Sequence, residues 1–129
     1  MDSNPRVLTW NLADAPGWTE LLVASGAPAP RAVNTEFGQA FVHELLFETA
    51  LPGPGLVSAE RLVLFFNVEA DVIRAVMRAA REAGLARPIY ATVTETSIEW
   101  RFRDLLEHLV EEREHFNRME AELAERKPA

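Results

Sequence analysis

The chain is 129 residues long, 48% hydrophobic, with a formal net charge of −7 and a pI near 5.0. That size and apolar content suit one domain over residues 1–129, with enough core to fold without staples. The acidic balance repels phosphate backbones and so speaks against a nucleic-acid partner, while the absence of cysteine excludes disulfides, thiolate metal sites and cysteine nucleophiles.

No apolar run approaches the roughly 20 residues that span a bilayer, so no membrane partner is expected. Met1–Pro5 lacks the basic-then-apolar pattern of a signal peptide, which makes the cytoplasm the expected location.

Arg6 to Leu12 reads as a strand, with Val7, Leu8, Trp10 and Leu12 apolar. Asp14-Ala15-Pro16-Gly17 then starts a short helix, since Asp can cap and Pro suits a first turn. Trp18, Leu21 and Leu22 form its apolar stripe and Gly26 ends it. Arg31 to Thr35 is a weak strand. The spacing of Phe41, Val42, Leu45 and Leu46 predicts a helix over 37–49. Leu51-Pro52-Gly53-Pro54-Gly55 can continue neither helix nor sheet and marks a linker over 51–60.

Arg61 to Asn67 is nearly continuous in apolar residues, as expected for a strand covered on both faces. Glu69 to Ala83 is helical, burying Val72, Ile73, Val76, Met77 and Ala80; Arg74, Arg78 and Arg81 lie opposite, on a solvated face. Gly84 and Pro88 separate it from a strand at Ile89–Thr94. A polar loop leads to Trp100 and to a helix running to Arg126, in which Leu105, Leu109, Phe116 and Leu123 recur near heptad spacing.

The halves share an order: strand, helix, Gly, Pro, strand, polar loop, helix. Val7-Leu8-Thr9-Trp10-Asn11 parallels Val63-Leu64-Phe65-Phe66-Asn67, and Gly26 and Pro30 parallel Gly84 and Pro88 at one offset. The expectation is an α/β fold, a small layered sandwich whose four-stranded sheet comes from two βαβα pseudo-repeats (6–50 and 61–126), with a long C-terminal helix. A ferredoxin-like α+β arrangement is the alternative, because the linker can lay the third strand antiparallel.

The segment from about Arg61 to Glu112 resembles an uncharacterised bacterial family known only as a domain of unknown function (DUF3783-like). The resemblance rests on Ala91-Thr92-Val93-Thr94-Glu95-Thr96-Ser97, then Trp100, then Asp104-Leu105-Leu106 with Glu111 and Glu112. In that family the loop reads Thr-x-Thr-Asn-x-x-Trp before a Leu-rich helix; Ser97 stands here in place of the Asn. The resemblance supports the domain and implies no activity, cofactor or catalytic residue.

The loop nonetheless offers a candidate ligand site, because open α/β sheets bind ligands beyond the carboxyl ends of their strands. Thr94, Thr96 and Ser97 carry hydroxyls there, Trp100 an aromatic face, and Arg101 a charge. The competing reading makes Thr96-x-x-Glu99 a capping box and Trp100 a core anchor. On the last helix His108, Glu111, Glu112 and His115 share one face, and Glu112-x-x-His115 has the spacing of di-iron helices. Such a cage needs acids from other helices as well, where only His43, Glu44 and Glu48 could contribute and no second Glu-x-x-His exists, so the His108/Glu112/His115 face is the alternative metal-binding or minor-enzyme reading, and no metal or cofactor is expected.

No Gly-x-Ser-x-Gly elbow or Gly-rich phosphate loop occurs. The expected function is therefore a non-catalytic cytoplasmic module that binds a protein partner or small ligand. At 1.5 Å per residue the last helix spans about 37 Å, more than a sheet this small can cover, which points to a homodimer through its distal half, with packing against the N-terminal half of the chain as the alternative.

Overall fold

A computed structural model describes residues 4–12 and 17–126. The proposed Asp14–Pro16 helix start lies outside the described residues; Gly17 immediately precedes the first helix in a left-handed conformation. The elements are β1 (Arg6–Trp10), α1 (Trp18–Ala24), β2 (Arg31–Val33), α2 (Val42–Leu46), β3 (Leu62–Phe66), α3 (Ala70–Glu82), β4 (Ile89–Thr92) and α4 (Phe102–Arg126). Single 3-10 turns at Thr35–Phe37 and Ser97–Glu99 precede α2 and α4.

The four strands form one sheet in the order β2-β1-β3-β4. β1 pairs with β2 in parallel and β3 with β4 in parallel, while β1 and β3 meet antiparallel with Leu8 opposite Leu64. Each crossover helix thus joins neighbouring strands. A ferredoxin-like sheet would instead place another strand between the two that a helix connects, so the layered α/β expectation holds and that alternative does not.

Alternating side chains build two cores, as the two-residue period of a strand requires. Leu8, Trp10, Leu62 and Leu64 face α2 and α4, packing with Val42, Leu45, Leu46, Phe102, Leu105 and Leu106. Val7, Val63 and Phe65 face α1 and α3, packing with Trp18, Leu22, Val76 and Ala80. Burial on both faces is why β3 carries five apolar residues in succession.

The halves also share their turns. Asn11 and Asn67, each directly after a central strand, have φ of 58° and 53°; Asn is among the few non-glycine residues that visit this left-handed region routinely. Helices α1 and α3 end alike. Gly26 (φ 97°) and Gly84 (φ 72°) donate to Val23 and Arg81, and the residues that follow, Ala27 and Leu85, donate to Leu22 and Ala80. This is a Schellman closure, which needs a left-handed residue at the glycine position.

Two predicted helices begin later than their apolar spacing suggested. The helix expected over 37–49 is only Val42–Leu46, because Phe41 is extended (φ −70°, ψ 147°) and pairs antiparallel with Arg101. Val42 N–H donates to Trp100 O at 2.9 Å and Phe102 N–H to Ala40 O at 2.8 Å. That pairing takes the backbone groups a helix through Phe41 and Trp100 would have used, so α4 starts at Phe102. Arg31 closes the other end of α2, its Nη2 donating to Leu45 O and Leu46 O while Nη1 meets Glu48 at 2.9 Å.

The linker is tied down. Gly53 N–H donates to Glu36 O and Leu56 N–H to Thr35 O. Leu56 sits so close to Gly38 that a Cβ there would lie 2.4 Å from the leucine Cβ. At its end, Glu60 forms a two-point ion pair with Arg113 of α4, at 2.7 and 2.9 Å. The hydrogen bond from Arg113 is the main cause that holds the Glu60 carboxyl below its ordinary value of 4.5; partial burial pulls the other way. A carboxyl depressed by folding stabilises the protein above its unfolded pKa, and that contribution is lost as pH falls below 4.5 through the folded value. Arg113→Ala is therefore expected to cost under about 1 kcal/mol at neutral pH, as solvent-screened pairs do. The cost should shrink as pH falls, measured by urea unfolding at pH 7 and pH 3. An equal cost at both would contradict the assignment.

Candidate functional site

The loop between β4 and α4 follows the carboxyl end of β4, where the sequence placed a ligand site. Its hydroxyls are turned on one another. Thr94 N–H donates to Ser97 Oγ at 2.9 Å, Ser97 N–H donates to Thr94 Oγ1 at 3.0 Å, and Thr94 Oγ1–H donates to Ser97 Oγ at 3.1 Å. This is a reciprocal cap, and it buries Ser97 to 6% exposure. It replaces the box expected from Thr96 and Glu99: Thr96 makes no side-chain cap bond, and both it and Glu99 are exposed. The physical reason is the extended backbone at Trp100 (φ −84°, ψ 158°), which limits the segment to one 3-10 turn and moves its closing bond to Thr94 and Ser97.

Trp100 and Arg101 lie at a cleft of about 480 Å³, lined also by Phe41, Glu99, Asp104 and His108. Trp100 is half-buried, packs on the α2/α4 core, and meets the His108 ring edge-on at 5.3 Å. The Arg101 guanidinium stands 4.5 Å from the centre of the Phe41 ring, and its Nη1 donates to Gln39 O at 2.9 Å. That stacking holds the arginine against the aromatic wall, where a cation–π contact contributes about 0.5–1 kcal/mol. The cleft therefore joins the aromatic faces of Phe41 and Trp100 to the carboxylates of Glu99 and Asp104.

Trp100 and Arg101 are thus brought together, Thr94 and Ser97 form the cap behind them, and Thr96 stays on the exposed side of the turn. Phe41 and Asp104 complete the cleft and were missed as site residues. Phe41 reaches it only through the long-range pairing with Arg101, for which its local sequence carries no signal.

On α4, His108 Nε2 and Glu112 Oε1 are 2.8 Å apart, an ion pair across one helical turn when the imidazole is protonated. His115 is exposed further along. Among the described residues no group of three or more His, Asp or Glu side chains is gathered so as to hold a metal ion. The helix itself changes character after Arg113. Phe102, Leu105 and Leu106 are buried, whereas Phe116, Met119 and Leu123 are 60%, 48% and 58% exposed. Among the described residues no helix is long and apolar enough to cross a membrane.

Residues 61–116, from β3 into the middle of α4, match the sequence model of a family described as a domain of unknown function (DUF3783). The match covers the segment on which the resemblance was read and carries that family's lack of an assigned activity. Searches of curated proteins and of solved structures gave no match.

Proposed function

We propose that this protein is a non-catalytic interaction module, and that its partner is a second copy of the chain seated on the distal half of α4. The supporting observation is the row Phe116, Met119, Leu123. These side chains continue the 3-4 spacing of Phe102, Leu105 and Leu109, which is buried against the sheet, into a stretch where every residue from 114 to 125 is exposed. Large apolar side chains repeated along one exposed helix face mark an interaction surface, whereas single ones need no explanation. The charges around the row suit a self-pairing helix, because Arg113 and Arg118 stand among Glu114, Glu120, Glu122 and Glu125 and both signs are present on one segment.

The test is light scattering on the intact chain and on Phe116→Glu and Leu123→Glu. The intact protein is expected at twice 14.5 kDa, and each variant at a single chain mass with its circular dichroism retained, because neither residue contributes to the core. A monomeric intact protein, or dimers of both variants, would contradict the proposal.

A second reading, binding of a small ligand, is favoured by one observation, the cleft that carries Trp100 and Arg101. Thr94, Thr96 and Ser97 then belong to the site as the turn that positions Trp100. A ligand found by screening should lose affinity in Trp100→Ala. Unchanged affinity there places the ligand elsewhere.

The domain organisation forms part of the proposal: residues 6–50 and 61–126 are two βαβα units descended from one by duplication. The matched glycine closures, the matched asparagine turns and the antiparallel meeting of β1 with β3 support it. A cytoplasmic location is proposed on the acidic, cysteine-free composition.

A further inference from the structure

We infer that the second copy lies antiparallel along α4, related by a twofold axis that passes beside Met119. This rests on the self-association proposed above and adds its geometry.

The first argument is steric. Phe102, Leu105 and Leu109 lie on the same helix stripe as Phe116, Met119 and Leu123. A straight helix drifts only about 20° per heptad from a strict seven-residue repeat, so two heptads leave the bare row on the side that already faces the sheet. Up to Leu109 and Val110 that side is filled by the chain's own core. A parallel partner helix laid on the bare row would, traced back to its own root, run through the volume of this copy's sheet. An antiparallel partner points its tip at the rim of the sheet and carries its own domain away beyond the far end of the helix.

The second argument is electrostatic. The root of the bare segment carries Arg113 and Arg118 with a single acid, Glu114, and its outer part carries Glu120, Glu122 and Glu125. Antiparallel packing sets the arginines of each copy beside the glutamates of the other. Parallel packing sets the glutamates beside their own equivalents, which is unfavourable. Antiparallel helix dipoles also attract, because the positive end of each lies beside the negative end of the other.

The third argument is extent. Residues 113–126 rise about 21 Å, which brings Phe116 of one copy level with Leu123 of the other when Met119 lies at the axis. All six large apolar side chains are then covered at once.

Because the chain has no cysteine, single introduced cysteines report the arrangement. Under mild oxidation Met119→Cys is expected to form a disulfide-linked dimer, while Phe116→Cys and Leu123→Cys are not. Each of those pairs is offset along the helix by more than the roughly 7 Å between Cα atoms that a disulfide tolerates. Should Leu123→Cys weaken association, a nitroxide at Glu125→Cys, off the apolar row, replaces it. In the antiparallel pair its two copies are separated by about 18 Å along the helix axis, whereas in a parallel pair they lie side by side. A dimer in which Leu123→Cys links readily to itself, or in which the nitroxides lie side by side, overturns the orientation and leaves self-association standing. A dimer that Met119→Cys fails to cross-link, with Phe116→Glu still dimeric, or an intact chain that is monomeric, overturns both.

Discussion

Replacing Phe65 by alanine is expected to lower folding stability by about 3–5 kcal/mol, the usual cost of emptying an aromatic site in a packed core. Phe65 is fully buried at the fourth position of β3, between Val7 of β1 and Thr92 of β4. Its ring stacks on Tyr90, with centroids 6.5 Å apart and planes 16° from parallel, and it shares a core with Trp18, Leu22, Val76 and Ala80. Neighbours held by two strands and two helices can collapse only partly into the space, so the cavity cost adds to the lost burial. Against a total of about 5–15 kcal/mol, the change removes a large share of the stability. Urea unfolding should show a lower midpoint with an unchanged slope. Val57→Ala, at 97% exposure, should stay within about 0.5 kcal/mol of the parent protein. A loss under about 1 kcal/mol for Phe65→Ala would contradict the two-faced burial of β3.

Phe102→Ala should cost a similar amount, about 3–5 kcal/mol, with a different distribution through the molecule. Phe102 opens α4, is 1% exposed, and lies 5.2 Å from the Trp10 ring at a 45° tilt. Such an aromatic pair adds about 0.5–1.5 kcal/mol to burial alone. Its N–H also holds the Phe41/Arg101 pairing through Ala40 O. Losing the ring loosens the root of α4 from β1 and α2, so amide exchange in residues 102–110 should rise more than in α3, which packs on the other face. Uniform acceleration across both helices would show that the two cores act as one and that Phe102 has no special hold on α4.

The sequence carried most of the framework because its strongest patterns are local. The apolar run from Leu62 to Phe66 announces a strand buried on both faces, and that is where β3 lies, at the centre of the sheet. The glycines at 26 and 84 mark helix ends through their left-handed φ, a property of the residue itself. The four-stranded α/β sheet and the long last helix follow from such signals.

What was misread depends on contacts between distant residues. Phe41, Val42, Leu45 and Leu46 have helical spacing, yet Phe41 is extended because Arg101 pairs with it. Thr96 and Glu99 fit a capping pattern as well as Thr94 and Ser97 do. The choice between them is made by the extended backbone at Trp100, which that same pairing imposes. The cleft was half legible for this reason: Trp100 and Arg101 stand out locally, whereas Phe41 enters from the other half of the chain. The Glu60–Arg113 pair, which ties the end of the linker to α4, likewise has no local signature.

The central claim is that α4 serves two purposes, its first half completing the core and its second half pairing with another copy. Deleting residues 114–129 and comparing the molar mass with that of the intact chain tests this most directly. The shortened protein should remain folded, with cooperative thermal unfolding, and should have a single chain mass at concentrations where the intact protein has twice 14.5 kDa. Equal oligomeric states for the two, whether both single or both paired, would contradict it.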